Sequence, residues 1–218
     1  MKAAGYPDTQ FGGGSEVMHY IGDLILSKDG WMSTVYHRVI SMYPYARYVG
    51  YGNGKNKDLA VDVLDFDFGP TAVGVWLLAS SYPQTYPVDG QSDIPIQWYG
   101  NEYPDPLPPG ATRPVGYPFT LQGVNGTLVV DWVELHTNTG RLVSIHPNPS
   151  ECQAFNCYGV IAVKPLEPDT TYIVSARGSV GGLPFDRNWT FTTQSSLQFH
   201  HKSFRQEISP GPPWFPSR

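Results

Sequence analysis

Glu16, His19 and His37 carry the side chains near the start of the chain that can move a proton or hold a cation. A Glu and a His brought together can act as an acid/base couple: an imidazole changes charge near neutral pH, and a carboxylate beside it can take or return the proton. Arg38 follows His37 directly, and Ser33 and Tyr51 flank the same stretch. Glu16 and His37 are the candidate catalytic residues, and His19, Ser33, Arg38 and Tyr51 the candidate substrate-binding groups. The structural alternative is that Glu16 bonds near a helix start while His37 is an ordinary satisfied partner. Glu16-x-x-His19 puts a carboxylate and an imidazole on one helix face, half of a di-iron carboxylate site, but no second copy of the motif is visible. Asp65 and Asp67 share a strand face and offer oxygens to a cation. A solvated face is the commoner outcome of that spacing. Glycoside hydrolysis needs two carboxyl groups at a set separation; Glu16 with one of the aspartates, or Glu102 with Asp105, are the available pairs. Trp98, Tyr99, Tyr103, Tyr117 and Trp132 are either a stacking platform for sugars or the core of a sandwich. Gly12-Gly13-Gly14 lacks the Lys-Ser/Thr of a phosphate loop, and there is no Gly-x-Ser-x-Gly elbow for a serine nucleophile.

Two helices are predicted to position these groups. Ser15 through Leu26 reads as a helix capped by Ser15, with Val17, Tyr20, Ile21, Leu24 and Ile25 on one face. A second runs from about Trp31 to Met42 and presents His37 and Arg38. Tyr43-Pro44 ends it, because a residue before proline is pushed out of the helical region. Strands follow at Val49–Gly52, Leu59–Phe68 and Thr71–Ala79, the last two joined by a turn at Gly69-Pro70. Residues 80–93 are rich in Pro, Tyr, Ser, Gln and Gly and read as a linker. Beyond them come seven short strands with turn signals between, at Ile94–Trp98, Tyr117–Gln122, Leu128–Leu135, Arg141–His146, Gly159–Lys164, Thr171–Ala176 and Asn188–Thr193. That pattern predicts a β-sandwich over 94–195. Residues 196–218 lose all periodicity and are expected to be disordered.

Trp31-x-Ser33-Thr34, then His37-Arg38, Pro44 and the run Val49-Gly50-Tyr51-Gly52, together with Gly14-Ser15-Glu16-Val17 upstream, resemble the CAP superfamily in its bacterial form. That family comprises cysteine-rich secretory proteins, antigen 5 and pathogenesis-related proteins. The likeness spans roughly residues 5 to 79, and the run from Lys164 to Thr193 is similar to the last strands of bacterial Ig-like domains. It implies an α+β chain: a partial CAP-like α-β-α sandwich over 1–79 and an all-β Ig-like sandwich after the linker. In the family, two histidines and two acidic residues line a cavity that can bind a divalent metal such as zinc. Glu16 and His37 match one of each, so the resemblance implies that the candidate residues share one site; the first histidine's helix, however, would precede Met1 and the second acidic position falls near Ser33. That remnant is too small for a tight zinc site. A second copy of the chain supplying the missing helix would make a homodimer; the β-sandwich covering the exposed core is the other completion. The likeness also implies a secreted protein that binds a glycan, lipid or protein at the cell surface, with an extracellular glycosidase or esterase using Glu16 and His37 as the alternative.

Composition narrows the field. The 218 residues include 21 Pro and 23 Gly, only 15% are charged, and the net charge is -5. A loop-rich or β-rich protein fits these values, and a nucleic-acid footprint does not. No apolar run is long enough for a transmembrane helix. The first residues lack the apolar core of a leader peptide, so secretion is inferred from the resemblance alone. Cys152 and Cys157 are spaced for a small closed loop, bonded in an oxidising compartment and free otherwise.

Overall fold

The computed structural model describes residues 14–19, 30–43, 46–56, 59–68, 82–100, 102–124 and 126–195. Leu59–Phe68 alternates apolar and acidic residues and forms the central strand, β3, of a small antiparallel sheet. β1 (Gly14–His19) and β2 (Ala46–Asn56) pair on either side of it. Val17 and Leu64 pack with Trp31 and Ile40 beneath this sheet.

The expected α-β-α sandwich is not what the chain adopts. The described residues are mostly strand, α1 (Tyr36–Ser41) is the one α-helix among them, and no helical layers sandwich the sheet. Ser15–His19 belongs to strand β1 rather than to a helix. Its short apolar pattern fits either period, and the open edge of β3 decides, because its backbone groups need partners. Residues 20–26, the rest of that predicted helix, and the predicted strand at 71–79 lie outside the described residues, as does the tail 196–218. The second predicted helix is broken: Trp31–Ser33 is a single 3-10 turn, and α1 begins only after Thr34 and Val35. A Ser-Thr-Val run is a poor helix interior, since β-branched side chains lose rotamer freedom and hydroxyls compete for backbone bonds.

The remaining strands make two facing sheets. One has the order β5-β10-β9-β7, from β5 (Gln91–Ile94), β10 (Leu183–Thr193), β9 (Thr171–Val180) and β7 (Leu128–Thr137). The other has the order β4-β6-β8, from β4 (Gln84–Tyr86), β6 (Phe119–Gln122) and β8 (Cys157–Val160). β4 and β5 fall in the stretch expected as linker, and Asp89 between them accepts the Thr190 N–H at 2.8 Å, tying that turn to β10. The predicted strand at Arg141–His146 is reduced to single bridges at Leu142 and Ile145. Between the sheets Phe119 meets Trp189 edge-on at 6.3 Å, and within one sheet Tyr172 stacks on its cross-strand partner Phe191 at 5.4 Å. The Tyr172 hydroxyl accepts the Glu167 N–H at 2.8 Å, the corner arrangement common in Ig-type sandwiches. No helix among the described residues is long and apolar enough to cross a membrane.

Two places in this core make sharp demands. Asp131 is bulged out of β7 between Val130 and Trp132, which brings the Val129 carbonyl onto β9 at Gly178. A methyl at 178 would collide with that carbonyl, so Gly178→Ala is expected to destabilise by about 2 kcal/mol or more in urea unfolding. At the other place, burial holds the His146 imidazole below its ordinary pKa, and its Nε2 has no hydrogen-bond partner. The unfolded chain takes that proton near pH 6.5, the folded chain only at lower pH. The associated stability is complete above this value and is lost as the pH falls beneath it. The urea midpoint is therefore expected to drop between about pH 7.5 and about pH 5.5, and His146→Gln to make the drop smaller.

Candidate functional site

A helix as short as α1 does not form alone in water, because nucleation costs more than one turn of bonds returns. Its first N–H groups have no partner inside the helix, and no side chain of its own caps them. Glu102 supplies the acceptors from the sandwich. Its Oε2 accepts the Val35 N–H at 2.8 Å, and its Oε1 accepts those of Tyr36 at 2.8 Å and His37 at 3.1 Å. Charge-assisted bonds contribute about 1.5–3 kcal/mol each, against about 0.3–1 kcal/mol for a charge near a helix dipole. The direct bonds dominate in so short a helix.

The same Oε1 lies 2.8 Å from His37 Nδ1, and the Glu102 side chain is fully buried while that of His37 is 24% exposed. An oxygen already accepting two amide N–H groups takes a third donor, so Nδ1 carries the hydrogen. In the neutral ring Nε2 is then the acceptor nitrogen. The Thr34 hydroxyl lies 3.2 Å from Nδ1 and donates to the Trp31 carbonyl at 2.9 Å. Among the described residues no hydroxyl or thiol bonds Nε2. The pair can orient an imidazole and hold one tautomer.

The other predicted site residues are spread over β1, β2 and the α1 region. Glu16 is in β1 opposite Asp65, and His19 is in β1 opposite Asp62; their side chains lie outside what is described. The carboxylate that His37 meets is Glu102's. Tyr51 is exposed on β2. Ser33 is buried beside Tyr117. Arg38 is fully buried. Its Nε donates to the Met32 carbonyl and its Nη1 to that of Pro118, both at 2.7 Å. Its guanidinium lies 4.5 Å from the Tyr86 ring centroid and 5.2 Å from that of Tyr117. Arg38 is thus a tie between α1 and the sandwich. No group of three or more His, Cys, Asp or Glu converges among the described residues.

Glu102 sits in the segment 99–114, whose base is closed by the paired N–H···O bonds of Trp98 and Val115 at 2.9 and 3.0 Å. Arg113 fixes its interior. Its Nη1 donates to the Tyr99 and Gly100 carbonyls, each at 2.9 Å, and its Nη2 pairs with Asp105. Gly100 has φ +73, and a methyl there would meet Arg113 Nη1. Glycine is thus required twice over. The five aromatics divide: Trp98 and Tyr117 are buried, whereas Tyr99, Trp132 and, at 93%, Tyr103 are exposed. The role of Glu102 carried no local signal. It lies 67 positions from the first amide it caps, and in the sequence it stands out only as a carboxylate near Asp105.

Across the α1 joint, the Tyr36 hydroxyl donates to Glu151 Oε2 at 3.1 Å. Burial first, then that bond, pushes the phenol pKa well up, so Tyr36 acts as a donor. Glu102→Ala would leave three amides without an acceptor. It is expected to lower stability by about 3 kcal/mol, with Glu102→Gln intermediate because the amide keeps a carbonyl oxygen; urea unfolding of both variants checks the order. No family model and no curated protein matches the chain.

Proposed function

We propose that the chain is a secreted binding module that holds a cell-surface glycan on the segment 99–114. The observation that carries this reading is Tyr103. A ring left 93% exposed follows a residue whose side chain is fully buried, on a segment pinned by Arg113. A tyrosine offers a large stacking face for little lost entropy, and a fixed backbone means that little more is lost on binding. Tyr99, also exposed, has its hydroxyl bonded by Gln97 at 3.2 Å. Gln97, Asp105 and Arg113 supply the donors and acceptors that sugar hydroxyls need. Secretion rests on the likeness of residues 5–79 to CAP proteins.

The His37–Glu102 pair favours a second reading, an extracellular hydrolase in which His37 Nε2 is the base and Glu102 holds the ring. Glu102 itself is fully engaged by three amides and the imidazole, so it has no proton to give to a sugar oxygen. That weakens a two-carboxylate mechanism in particular.

Affinity electrophoresis against a panel of cell-wall polysaccharides tests the first reading. Tyr103→Ala and Tyr99→Ala are each expected to weaken binding about tenfold at unchanged melting temperature. Retention of every polysaccharide by Tyr103→Ala at wild-type strength, or of none by the wild type, overturns it. Turnover of a chromogenic ester that disappears in His37→Ala would move the assignment to the hydrolase.

A further inference from the structure

Cys152 and Cys157 are the only cysteines of the chain, and the fold brings them together in a dry place. Cys152 lies in the 3-10 turn Ser150–Gln153 and Cys157 opens β8. Both belong to the core formed with Val35, Tyr36 and Val39 of the α1 region, and both are buried. Cys152 Sγ lies against β8, where a methyl on Gly159 would come 3.3 Å from it. Residues two apart on a strand share a face, so the Cys157 side chain stands on the same side of β8 as that contact. Both are free thiols that pack into one apolar cluster.

The intervening chain holds them there. Phe155 N–H donates to the Cys152 carbonyl at 3.1 Å and Asn156 N–H to that of Gln153 at 3.2 Å. Asn156 adopts a left-handed φ of 52, which turns the chain back into β8. Its side chain donates to the Gly123 and Gly126 carbonyls, each at 2.9 Å, and accepts the Leu128 N–H at 2.8 Å. The loop is therefore ordered whether or not the sulfurs are bonded. Such preorganisation raises the effective concentration of one thiol at the other.

We propose that Cys152 and Cys157 are a disulfide-forming pair, closed by exchange with a small-molecule disulfide, and that the bond staples the 150–153 turn to β8 under α1. One thiolate attacks the small disulfide, forming a mixed disulfide and releasing one thiolate. The second cysteine thiolate then attacks the protein sulfur of that mixed disulfide, forming the Cys152–Cys157 bond and releasing the second small thiolate. The pair loses two electrons and two protons, and one disulfide is reduced to two thiols. Because both sulfurs are buried, exchange is slow in the folded chain and fast when it is open. The staple bears on α1, since Glu151 accepts the Tyr36 hydroxyl at 3.1 Å and the Phe155 ring lies 5.8 Å from that of Tyr36.

The test refolds the full chain from urea in oxidised and reduced glutathione, alkylates it in denaturant and weighs it intact. The expected product is a monomer lacking two hydrogens and taking no alkyl group, with a melting temperature about 5 °C above that of the reduced chain. The double variant Cys152→Ser, Cys157→Ser should melt at one temperature in both buffers. Recovery of a chain alkylated at both cysteines, of a glutathione adduct, or of a disulfide-linked dimer as the main product overturns the pairing. An oxidised monomer that melts no higher than the reduced one overturns the staple.

Discussion

The contact between the Glu102 carboxylate and the start of α1 is the constraint on which the arrangement of the two parts depends. Without an outside acceptor, burying the Val35–His37 amides would strand three donors in the core, a loss larger than the apolar contacts of so short a helix return. With it, Val35, Tyr36 and Val39 can enter the apolar cluster around Trp98, Val115 and Ile161. The far end of the helix is treated alike: Gln122 donates to the Val39 carbonyl at 3.1 Å. Arg38 completes the set. Its charge is met by two carbonyls and two tyrosine rings rather than by a carboxylate, so oriented dipoles and ring faces replace the water it leaves. α1 is docked by polar ties at its start, middle and end, and the apolar contacts fill the space between.

This anchoring shapes what the histidine can do. Glu102 is committed to the backbone, so the imidazole it orients is part of the joint as well as part of the surface. Arg38 and Ser33 are turned inward and have no face left for a ligand. The aromatic faces left exposed lie outside the joint, above all that of Tyr103, which the anchored Glu102 holds in place as its chain neighbour.

The β-rich half was legible from period and punctuation. Leu59–Phe68, Leu128–Leu135, Thr171–Ala176 and Asn188–Thr193 all lie within observed strands, because their alternation and the turn residues between them leave little choice of face. Ser15–His19 misled, since its apolar residues fit a helical stripe and the deciding fact, the edge of β3 that it pairs with, is not local. Trp31–Met42 misled for a related reason. Its apolar spacing is helical, but the helix can start only where a carboxylate waits, and that group comes from a distant segment. His37 was readable as a candidate from its type and position. Its partner was not, because nothing in the spacing of Glu102 relates it to position 37.

The pairing of β5 with β10 has a mechanical meaning. These strands run parallel, with Phe191 opposite Gln91 and Thr193 opposite Ile94. They are bound further by Gly90 N–H to the Thr190 carbonyl at 2.8 Å and by Gln194 N–H to that of Ile94 at 2.9 Å. A pull on the start of β5 against the end of β10 drags the two strands past each other along their length. The bonds between them bear the load together, in shear, instead of opening one at a time as they would at the fork of an antiparallel hairpin. Under such a load the sandwich would resist extension at this pair.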